Sequence, residues 1–196
     1  MLCGFDEAGR GPLAGPVCAA AVVLPGDFPQ EMLRDSKKLT PPKREAARVL
    51  ICKEALAWGI GWASAAEIDE INVLKASLIA MERAFRAMTL AFPRVMPGKA
   101  APGENPSGTP EGVVDGLYVP RLSIPCRALV KADNLIPEVM AASILAKTAR
   151  DRMMERYSWL YPQYGYEKHK GYPTREHREN LARYGPSPIQ RKSFSF

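Results

Sequence analysis

Apolar segments near the start of the chain predict the first two strands of a sheet. The first segment covers residues 2 to 7 and ends in two adjacent carboxylates, Asp6 and Glu7. A second apolar run extends from residue 17 to residue 24, and a glycine-rich turn separates the two segments. Short apolar runs bounded by turn residues are typical of buried strands. We therefore expect an antiparallel pair.

Helix start signals follow in the next part of the chain. Thr40 before Pro41 is typical of a capping residue with proline in the first helical turn, and it predicts a helix that extends to Gly59. A strand is expected over residues 60 to 63. Ser64 and Glu67 then have the spacing of a capping box, which predicts a short helix.

Asn72 is predicted to cap a longer helix that has one apolar face. Residues at helical spacing form this face, namely Leu74, Leu78, Met81, Phe85 and Met88. We expect the face to pack on the sheet.

Residues 93 to 112 contain five prolines and four glycines, a composition that neither a helix nor a strand interior tolerates. We expect a loop here, either a surface insertion or a mobile flap, and the insertion is favoured because long structureless connections inside a domain are uncommon.

Two apolar runs beyond this loop, "GVVDGLYV" and "IPCRALVKAD", predict strands that end in Asp115 and Asp133. Each aspartate also has a purely structural interpretation. Asp115 precedes Gly116, and Asp-Gly is a common hairpin turn. Asp133 lies just before a helix expected from about residue 137 to residue 157, where aspartate is a common N-cap.

Carboxylates at the ends of several strands of one sheet can meet at a single point above it. Asp6, Glu7, Asp115 and Asp133 would repel each other there unless a cation neutralised them. Oxygen ligands suit Mg²⁺ or Mn²⁺. Two such ions about 4 Å apart catalyse in-line displacement at phosphorus, so the predicted substrate is a phosphodiester.

The charge distribution favours a polyanionic partner. The formal net charge is +6, and the stretch from Lys147 to the end carries eleven Lys/Arg against five Asp/Glu. A solvated basic surface would have the same composition. Aromatic residues interleave with these cations, as nucleic-acid contacts often require: Tyr157, Trp159, Tyr161, Tyr164, Tyr166 and Tyr172.

The four cysteines, Cys3, Cys18, Cys52 and Cys126, form no C-x-x-C pair, so the sequence signals neither a zinc site nor a disulfide framework. Buried thiols in a reducing cytoplasm are the simpler expectation. No uncharged apolar run reaches the roughly 18 residues that a membrane span needs. We expect a soluble, untargeted protein of the cytoplasm and, because no interface heptad or large apolar stripe is visible, a monomer.

Several motifs, in this order, resemble those of ribonuclease HII: "DEAGRG" at residues 6 to 11, "DSKKL" at 35 to 39, "KAD" and "AASILAKTARDR" between 131 and 152, "KGYPT" at 170 to 174 and "RKSF" at 191 to 194. The resemblance covers nearly the whole chain. It implies a ribonuclease H-like α/β fold, with a mixed five-stranded sheet flanked by helices. Residues 1 to 160 would form the catalytic domain, with an insertion at 96 to 112, and residues 161 to 196 a small basic helical region packed on it.

The implied activity is cleavage of the RNA strand of RNA/DNA hybrids and of the bond 5′ to a ribonucleotide embedded in duplex DNA. The family's four acidic metal-site residues match Asp6, Glu7, Asp115 and Asp133, and two divalent ions act during catalysis. The family's Gly-Arg-Gly matches Gly9, Arg10 and Gly11, which would approach the 2′-hydroxyl and a phosphate. A glycine pair can also simply form a tight turn.

Tyr172 matches the family's tyrosine that stacks on the deoxyribose after the ribonucleotide, although a half-buried core aromatic is the alternative. Ser143, Lys147 and Arg150 share one helix face and are candidate phosphate ligands, unless the face is only solvated. Lys37 and Lys38 of "DSKKL" are further candidates.

The chain departs from the family pattern at residues 96 to 112, which are longer than usual, and at Gln190, where histidine is common. Two other functions stay open at this point. One is a different two-metal nuclease of the same fold, which Gly-Arg-Gly disfavours. The other is a catalytically silent hybrid-binding module, which the intact carboxylates disfavour.

Overall fold

A single mixed sheet organises the computed structural model, which describes residues 1–33, 40–93 and 110–194. In this part of the chain the sheet has five strands in the order β3-β2-β1-β4-β5. The strands are β1 (Leu2–Ala8), β2 (Val17–Val23), β3 (Ala57–Ala63), β4 (Glu111–Asp115) and β5 (Cys126–Leu129). The pairs β1/β2 and β2/β3 are antiparallel, whereas β1/β4 and β4/β5 are parallel. The ribonuclease H-like fold class is confirmed.

Helices cover both faces of this sheet. They are α1 (Pro41–Glu54), α2 (Ala65–Ile71), α3 (Val73–Ala91), α4 (Pro137–Leu160), α5 (Tyr166–His169) and α6 (Arg175–Tyr184). One apolar core lies between the sheet and α3, and a second lies between the sheet, α1 and α4. Both faces of β2 are therefore buried, which explains why it is an unbroken apolar run.

Glycines let two helices approach the sheet closely. A Cβ atom on Gly61 in β3 would come within 2.0 Å of the Ala80 carbonyl oxygen of α3. A Cβ atom on Gly4 in β1 would come within 2.2 Å of the backbone of Glu138, in the first turn of α4. The second contact matters for the site, because it sets the start of α4 directly against the strand that carries Asp6.

The capping predictions for α2 and α3 are confirmed. The Glu67 N–H donates to Ser64 Oγ at 3.2 Å, and the Ser64 N–H donates to Glu67 Oε2 at 2.8 Å. Asn72 Oδ1 accepts the Lys75 N–H at 3.1 Å. On α3 the predicted face is buried at Met81, Phe85 and Met88, but Leu74 and Leu78 are only partly buried because small side chains complete it: Ala76, Ser77, Ala80 and Ala84.

The predicted end of α1 is wrong. The helix ends at Glu54 rather than Gly59, and residues from Ala57 onward form β3, which pairs with all of β2. Pairing across the whole length of a central strand outweighs the local helix propensity of this stretch. Thr40 is the N-cap, but its side chain accepts no capping hydrogen bond. One of the N–H groups that a cap normally binds is missing, because the second helical residue is Pro42.

The chain after β4 also differs from the prediction. Strand β5 ends at Leu129, and Asp133 lies in a 3₁₀ turn over Ala132–Asn134 rather than at a strand end. Neither structural alternative holds, because β4 and β5 are parallel and so exclude a hairpin at Asp115, and because the N-cap of α4 is Ile136. Residues 111 and 112, placed in the loop by the sequence, belong to β4. Residues 94 to 109 lie outside the described part.

A third apolar cluster joins α5 and α6 to the end of α4. Tyr164 and Tyr166 are 4% and 0% exposed within it, so their predicted role in nucleic-acid contact is wrong. Their rings stack on each other in the cluster, with centroids 5.6 Å apart. The buried Gln190 forms an isolated β-bridge with Ala14, which returns the chain to the loop after β1. Among the described residues, no helix has the length and apolar character to cross a membrane.

Candidate active site

Three of the predicted carboxylates meet at one point of the sheet. Oxygen atoms of Asp6, Asp115 and Asp133 all lie within 4.8 Å of one another. The parallel register of β1 and β4 pairs Phe5 with Val114, so the next residues, Asp6 and Asp115, lie side by side, Asp115 at the carboxyl end of β4 and Asp6 two residues before that of β1. This edge of a parallel pair is where ligand sites form in open α/β sheets.

The 3₁₀ turn brings the third carboxylate to this edge. Lys131 adopts the left-handed conformation with φ of 61°, which bends the chain after β5. Asp115 Oδ1 accepts the N–H of Ala132 at 2.8 Å and so ties the turn to the end of β4. Asp133, the next residue, is 2% exposed. Asp115 therefore both belongs to the cluster and holds the segment that supplies Asp133.

The environment of Asp6 disfavours its ionised form. Asp6 is 6% exposed, and burial raises the pKa of its carboxyl well above the usual range. The neighbouring charges of Glu7 and Asp115 raise this pKa further, whereas hydrogen bonds from Ser143 and from the Glu7 N–H lower it. The Glu7 N–H lies 2.8 Å from Asp6 Oδ1. A cation bound to the cluster would reverse this preference.

The donor set fits a hard divalent ion. The cluster offers only carboxylate oxygens, from two strands and a turn, and two of its three residues are buried. Oxygen ligands of this kind suit Mg²⁺ and Mn²⁺, whereas zinc sites use mainly cysteine and histidine.

Glu7 lies in the same cavity but outside this cluster. Its Oε1 pairs with Arg10 Nη1 at 3.2 Å. Burial raises the pKa of Glu7, and the charge of Arg10 lowers it. The structure thus brings together three of the four predicted metal ligands and gives the fourth an arginine partner at the cavity wall.

The carboxylates open into a cavity of about 390 Å³. Its wall includes most of the side chains that the sequence singled out: Asp6, Glu7, Gly9, Arg10, Gly11, Asp115, Asp133, Ser143, Lys147 and Tyr172. Sequence reasoning missed Arg44 of α1, which also lines the cavity. No motif marks Arg44, and its position depends on how α1 packs against α4. Lys37 and Lys38 lie outside the described residues.

Tyr172 stands at the cavity and not in the core. The residue is 42% exposed, so the core-aromatic alternative is wrong. Lys147 Nζ lies 5.9 Å from the centroid of the Tyr172 ring and 2.8 Å from Asp151 Oδ1. A Cβ atom added to Gly11 would lie 3.7 Å from Tyr172 Cε1. Gly11 and Tyr172 therefore face each other across a narrow part of the cavity.

Arg150 does not belong to this surface, and its prediction as a phosphate ligand is wrong. The residue is 1% exposed. Its guanidinium donates to the carbonyl oxygens of Pro16 at 3.0 Å, Lys170 at 3.0 Å and Ala14 at 3.2 Å. Arg150 thus stabilises the loop after β1 from the buried side of that loop.

Solved structures with the same fold place the chain in a class. Ribonuclease H2 from Pyrococcus horikoshii superposes with a TM-score of 0.71 and 26% identity, covering 99% of this chain and 93% of that one. The ribonuclease HII of Archaeoglobus fulgidus, solved in a complex with PCNA, superposes with a TM-score of 0.74 and 24% identity, covering 100% of this chain and 96% of that one. Bst-RNase HIII in complex with Mn²⁺ shares the fold with a TM-score of 0.65 and 16% identity, covering 92% of this chain and 69% of that one. Fold and acidic cluster together define a nuclease of the ribonuclease H class.

Sequence relatives give the particular family. A protein named ribonuclease HII from Treponema denticola is 55% identical over 197 residues, covering 99% of this chain and 98% of its own length. A second, from Moorella thermoacetica, is 47% identical and covers 98% and 85%. The family model described as Ribonuclease HII matches residues 3–196. The chain belongs to the ribonuclease HII family and is a ribonuclease H endonuclease.

Proposed function

We propose that this protein cleaves the RNA strand of RNA/DNA hybrids and the phosphodiester 5′ to ribonucleotides embedded in duplex DNA, leaving 5′-phosphate and 3′-hydroxyl ends. One observation carries the proposal: the cluster of Asp6, Asp115 and Asp133 opens into the same cavity as the Gly-Arg-Gly segment and Tyr172. Groups that hydrolyse a phosphodiester and groups that can sense a sugar hydroxyl thus face one substrate.

The acidic residues would hold the metal. We assign Asp6, Glu7, Asp115 and Asp133 to two divalent ions, Mg²⁺ or Mn²⁺, which supply activation of the nucleophile and stabilisation of the leaving oxygen when bound. Burial of Asp6 fixes its carboxylate beside Asp115, and the Ala132 N–H orients Asp115. These contacts pre-organise the oxygens before any ion arrives.

The cavity wall would hold the nucleic acid. Backbone groups of Gly9, Arg10 and Gly11 would meet the 2′-hydroxyl, the group that separates RNA from DNA. Tyr172 would stack on the sugar that follows, since its ring is exposed at the cavity. Phosphates would contact the polar and basic side chains of the cavity wall, namely Arg10, Arg44, Ser143 and Lys147. Lys37 and Lys38, which lie outside the described residues, stay phosphate ligands predicted from the sequence.

The domain division is part of the proposal. Residues 1 to 160 would form the catalytic domain, and residues 161 to 196 would pack on it through the cluster around Tyr164 and Tyr166 and through the bridge of Gln190 to Ala14. A monomeric state and a cytoplasmic location stay predictions from the sequence.

A duplex with one ribonucleotide tests the proposed activity. With Mg²⁺ or Mn²⁺ we expect a single cut on the 5′ side of the ribonucleotide and no cut in the matched all-DNA duplex, as resolved on a sequencing gel. Cutting of both duplexes would indicate a generic two-metal nuclease. Tight retention of the ribonucleotide duplex without a cut would indicate a silent binding module.

A further inference from the structure

A buried arginine from the end of the described chain organises the loop after β1, residues 9–16, called here the recognition loop. Arg191 is fully buried, at 0% exposure. Its guanidinium donates four hydrogen bonds to carbonyl oxygens of the recognition loop: Gly9 at 2.6 Å, Pro12 at 2.7 Å, Gly15 at 2.9 Å and Arg10 at 3.0 Å. The loop is therefore wrapped around a cation.

Among the described residues no carboxylate forms an ion pair with this cation, although the charge of Asp69 acts on it from a longer distance. Within the described part of the chain, neither Arg191 nor the adjacent Arg150 forms an ion pair. Burial, and then the charge of Arg150, lower the pKa of Arg191 to about 9, which leaves it protonated at neutral pH. Carbonyl dipoles have to replace the lost hydration of such a group. The position of the loop carbonyls is thus coupled to the guanidinium.

This coupling fixes which way the peptide planes face. In a planar trans peptide the C=O and the N–H point in opposite directions. The carbonyls of Gly9 and Arg10 point at Arg191, so the N–H groups of Arg10 and Gly11, in the same two peptides, point away from it. Arg10 and Gly11 line the cavity. Among described residues neither N–H has an acceptor, which leaves both available to a ligand oxygen.

We propose that Arg191 is a positioning residue for ribonucleotide recognition, because it holds two adjacent peptides so that both N–H groups face the substrate cavity. Arg191 does not itself line the cavity and acts only through the recognition loop. The inference rests on the proposed function, in which this loop meets the 2′-hydroxyl. It adds that selectivity for the ribose depends on a side chain 182 positions away from Gly9.

The segment around Arg191 stays anchored without its guanidinium. The Arg191 N–H donates to the Leu13 carbonyl at 2.9 Å, and the Gly15 N–H donates to the Ile189 carbonyl at 2.8 Å. Asp69 of α2 accepts the N–H groups of the next two residues, Lys192 and Ser193, at 2.9 and 2.8 Å. A substitution of the side chain therefore perturbs the loop carbonyls while the backbone contacts persist.

Arg191→Lys tests the inference. Lysine keeps the charge, but its single ammonium cannot reproduce the fork that binds four carbonyls. We measure the dissociation constants of a duplex with one ribonucleotide and of the same all-DNA duplex, by fluorescence anisotropy with Ca²⁺ in place of Mg²⁺, and confirm on a gel that both duplexes stay intact. The dissociation constant of the all-DNA duplex divided by that of the ribonucleotide duplex, called here the selectivity ratio, should fall by about tenfold, the effect of losing roughly one well-placed hydrogen bond. Affinity for the all-DNA duplex should change much less.

Tyr166→Phe is the matched control. It removes the buried hydrogen bond between Tyr166 and Ser187 in the C-terminal cluster, while the aromatic ring and the hydrogen bonds from Arg191 to the recognition loop remain. A loss of folded protein lowers the apparent affinity for both duplexes by the same factor. The ratio of the two dissociation constants is therefore independent of protein stability. The control should lower the melting temperature and keep the wild-type ratio. A fall of the ratio in the control as large as in Arg191→Lys would contradict the inference.

Arg191→Met covers the case in which the lysine variant does not fold, since an apolar side chain of similar volume removes the buried charge altogether. It should lose the same selectivity. If Arg191→Lys or Arg191→Met folds and keeps the wild-type ratio of dissociation constants, the role of Arg191 is overturned, but the proposed function is not. A wild-type protein that binds both duplexes equally would instead overturn the proposed recognition function.

Discussion

Asp6 combines burial with close carboxylate neighbours, so its charge is costly in the metal-free protein. A raised pKa in the folded state means that the stability of the protonated form is lost as the pH rises through that pKa. The Asp6 carboxyl therefore stabilises the metal-free fold less at neutral pH than in acid. Asp6→Asn should raise the melting temperature of the metal-free protein, as measured by differential scanning calorimetry in a chelator.

The same substitution should remove activity. Loss of this proposed metal ligand is expected to lower the cleavage rate by at least about 100-fold, while duplex binding should persist because the proposed phosphate contacts do not involve Asp6. Mg²⁺ or Mn²⁺ at about 100 times its dissociation constant should stabilise the wild-type protein by about 2.7 kcal/mol and the variant much less. Preserved turnover in Asp6→Asn would contradict the assignment.

The two glycines of the Gly-Arg-Gly segment have different roles. Gly9 has φ of 102°, and a Cβ atom there would come within 2.1 Å of Arg150 Nε, so Gly9→Ala should destabilise the fold. Gly11 is exposed and has space for a Cβ atom in front of Tyr172. Gly11→Val should leave the melting temperature almost unchanged and lower the preference for a ribonucleotide duplex by about tenfold in competitive binding. Equal losses for DNA and ribonucleotide duplexes would refute this role of Gly11.

Arginine is the residue type whose role the sequence predicted least well. Arg150 lies at helical spacing from Ser143 and Lys147, but α4 turns this position toward the recognition loop and buries it. Arg191 carried no assigned role at all, although it opens the "RKSF" motif. Spacing along a helix predicts which residues share a face, but not which other segments pack on that face. Here Arg150 is buried by segments far away in sequence, the recognition loop and the chain around Lys170.

At the scale of elements, strand register explains how much of the site was predictable. Apolar runs predicted β1 and β4, and parallel pairing then placed Asp6 beside Asp115. The position of Asp133 was predicted from the wrong element, because the strand that precedes it ends at Leu129. The turn that replaces the rest of that strand needs a left-handed Lys131, a conformation that lysine does not signal.

This left-handed residue gives a prediction for the turn. The left-handed region costs an L-residue about 1–2 kcal/mol, a cost that glycine does not carry. Lys131→Gly should therefore keep activity and match or exceed the wild-type stability in urea titration. Lys131→Val should displace the Ala132 N–H from Asp115 and lower the cleavage rate, because a β-branched residue strongly disfavours this conformation. Normal cleavage by the valine variant would mean that Asp133 does not depend on this turn.

At the scale of the whole molecule, the C-terminal region is more a packed structure than a nucleic-acid surface. The sequence correctly places helices and cations there, but its aromatic residues lie in different environments. Tyr172 reaches the cavity, whereas Tyr164 and Tyr166 form a core with the stacked rings of His169 and His177, whose centroids are 4.5 Å apart. Composition cannot separate these cases, because burial depends on the path of the chain between α5 and α6.

The histidine pair makes this region sensitive to acid. Burial lowers the pKa of both His169 and His177. A lowered pKa in the folded state gives stability that is present above the unfolded value near 6.5 and is lost as the pH falls through the folded pKa. The melting temperature of the metal-loaded protein should therefore decrease when the pH is lowered below about 6.

His169→Gln should reduce this dependence, as measured by thermal denaturation between neutral and acid pH. Its control is Lys168→Gln, which removes an exposed ion pair with Glu176 beside the histidines. If the histidine variant kept the full loss of melting temperature in acid, the sensitivity would come from other groups, such as the carboxylates of the site.

The contact between Arg191 and the recognition loop also has a consequence during synthesis on the ribosome. The strands and carboxylates of the site come from residues 2 to 133, and those segments leave the exit tunnel well before Arg191 does. A nascent chain can thus assemble its acidic centre while the loop that would test for a ribose still lacks its support. Selectivity would be the last property of this enzyme to mature, after almost all of the described chain has been translated.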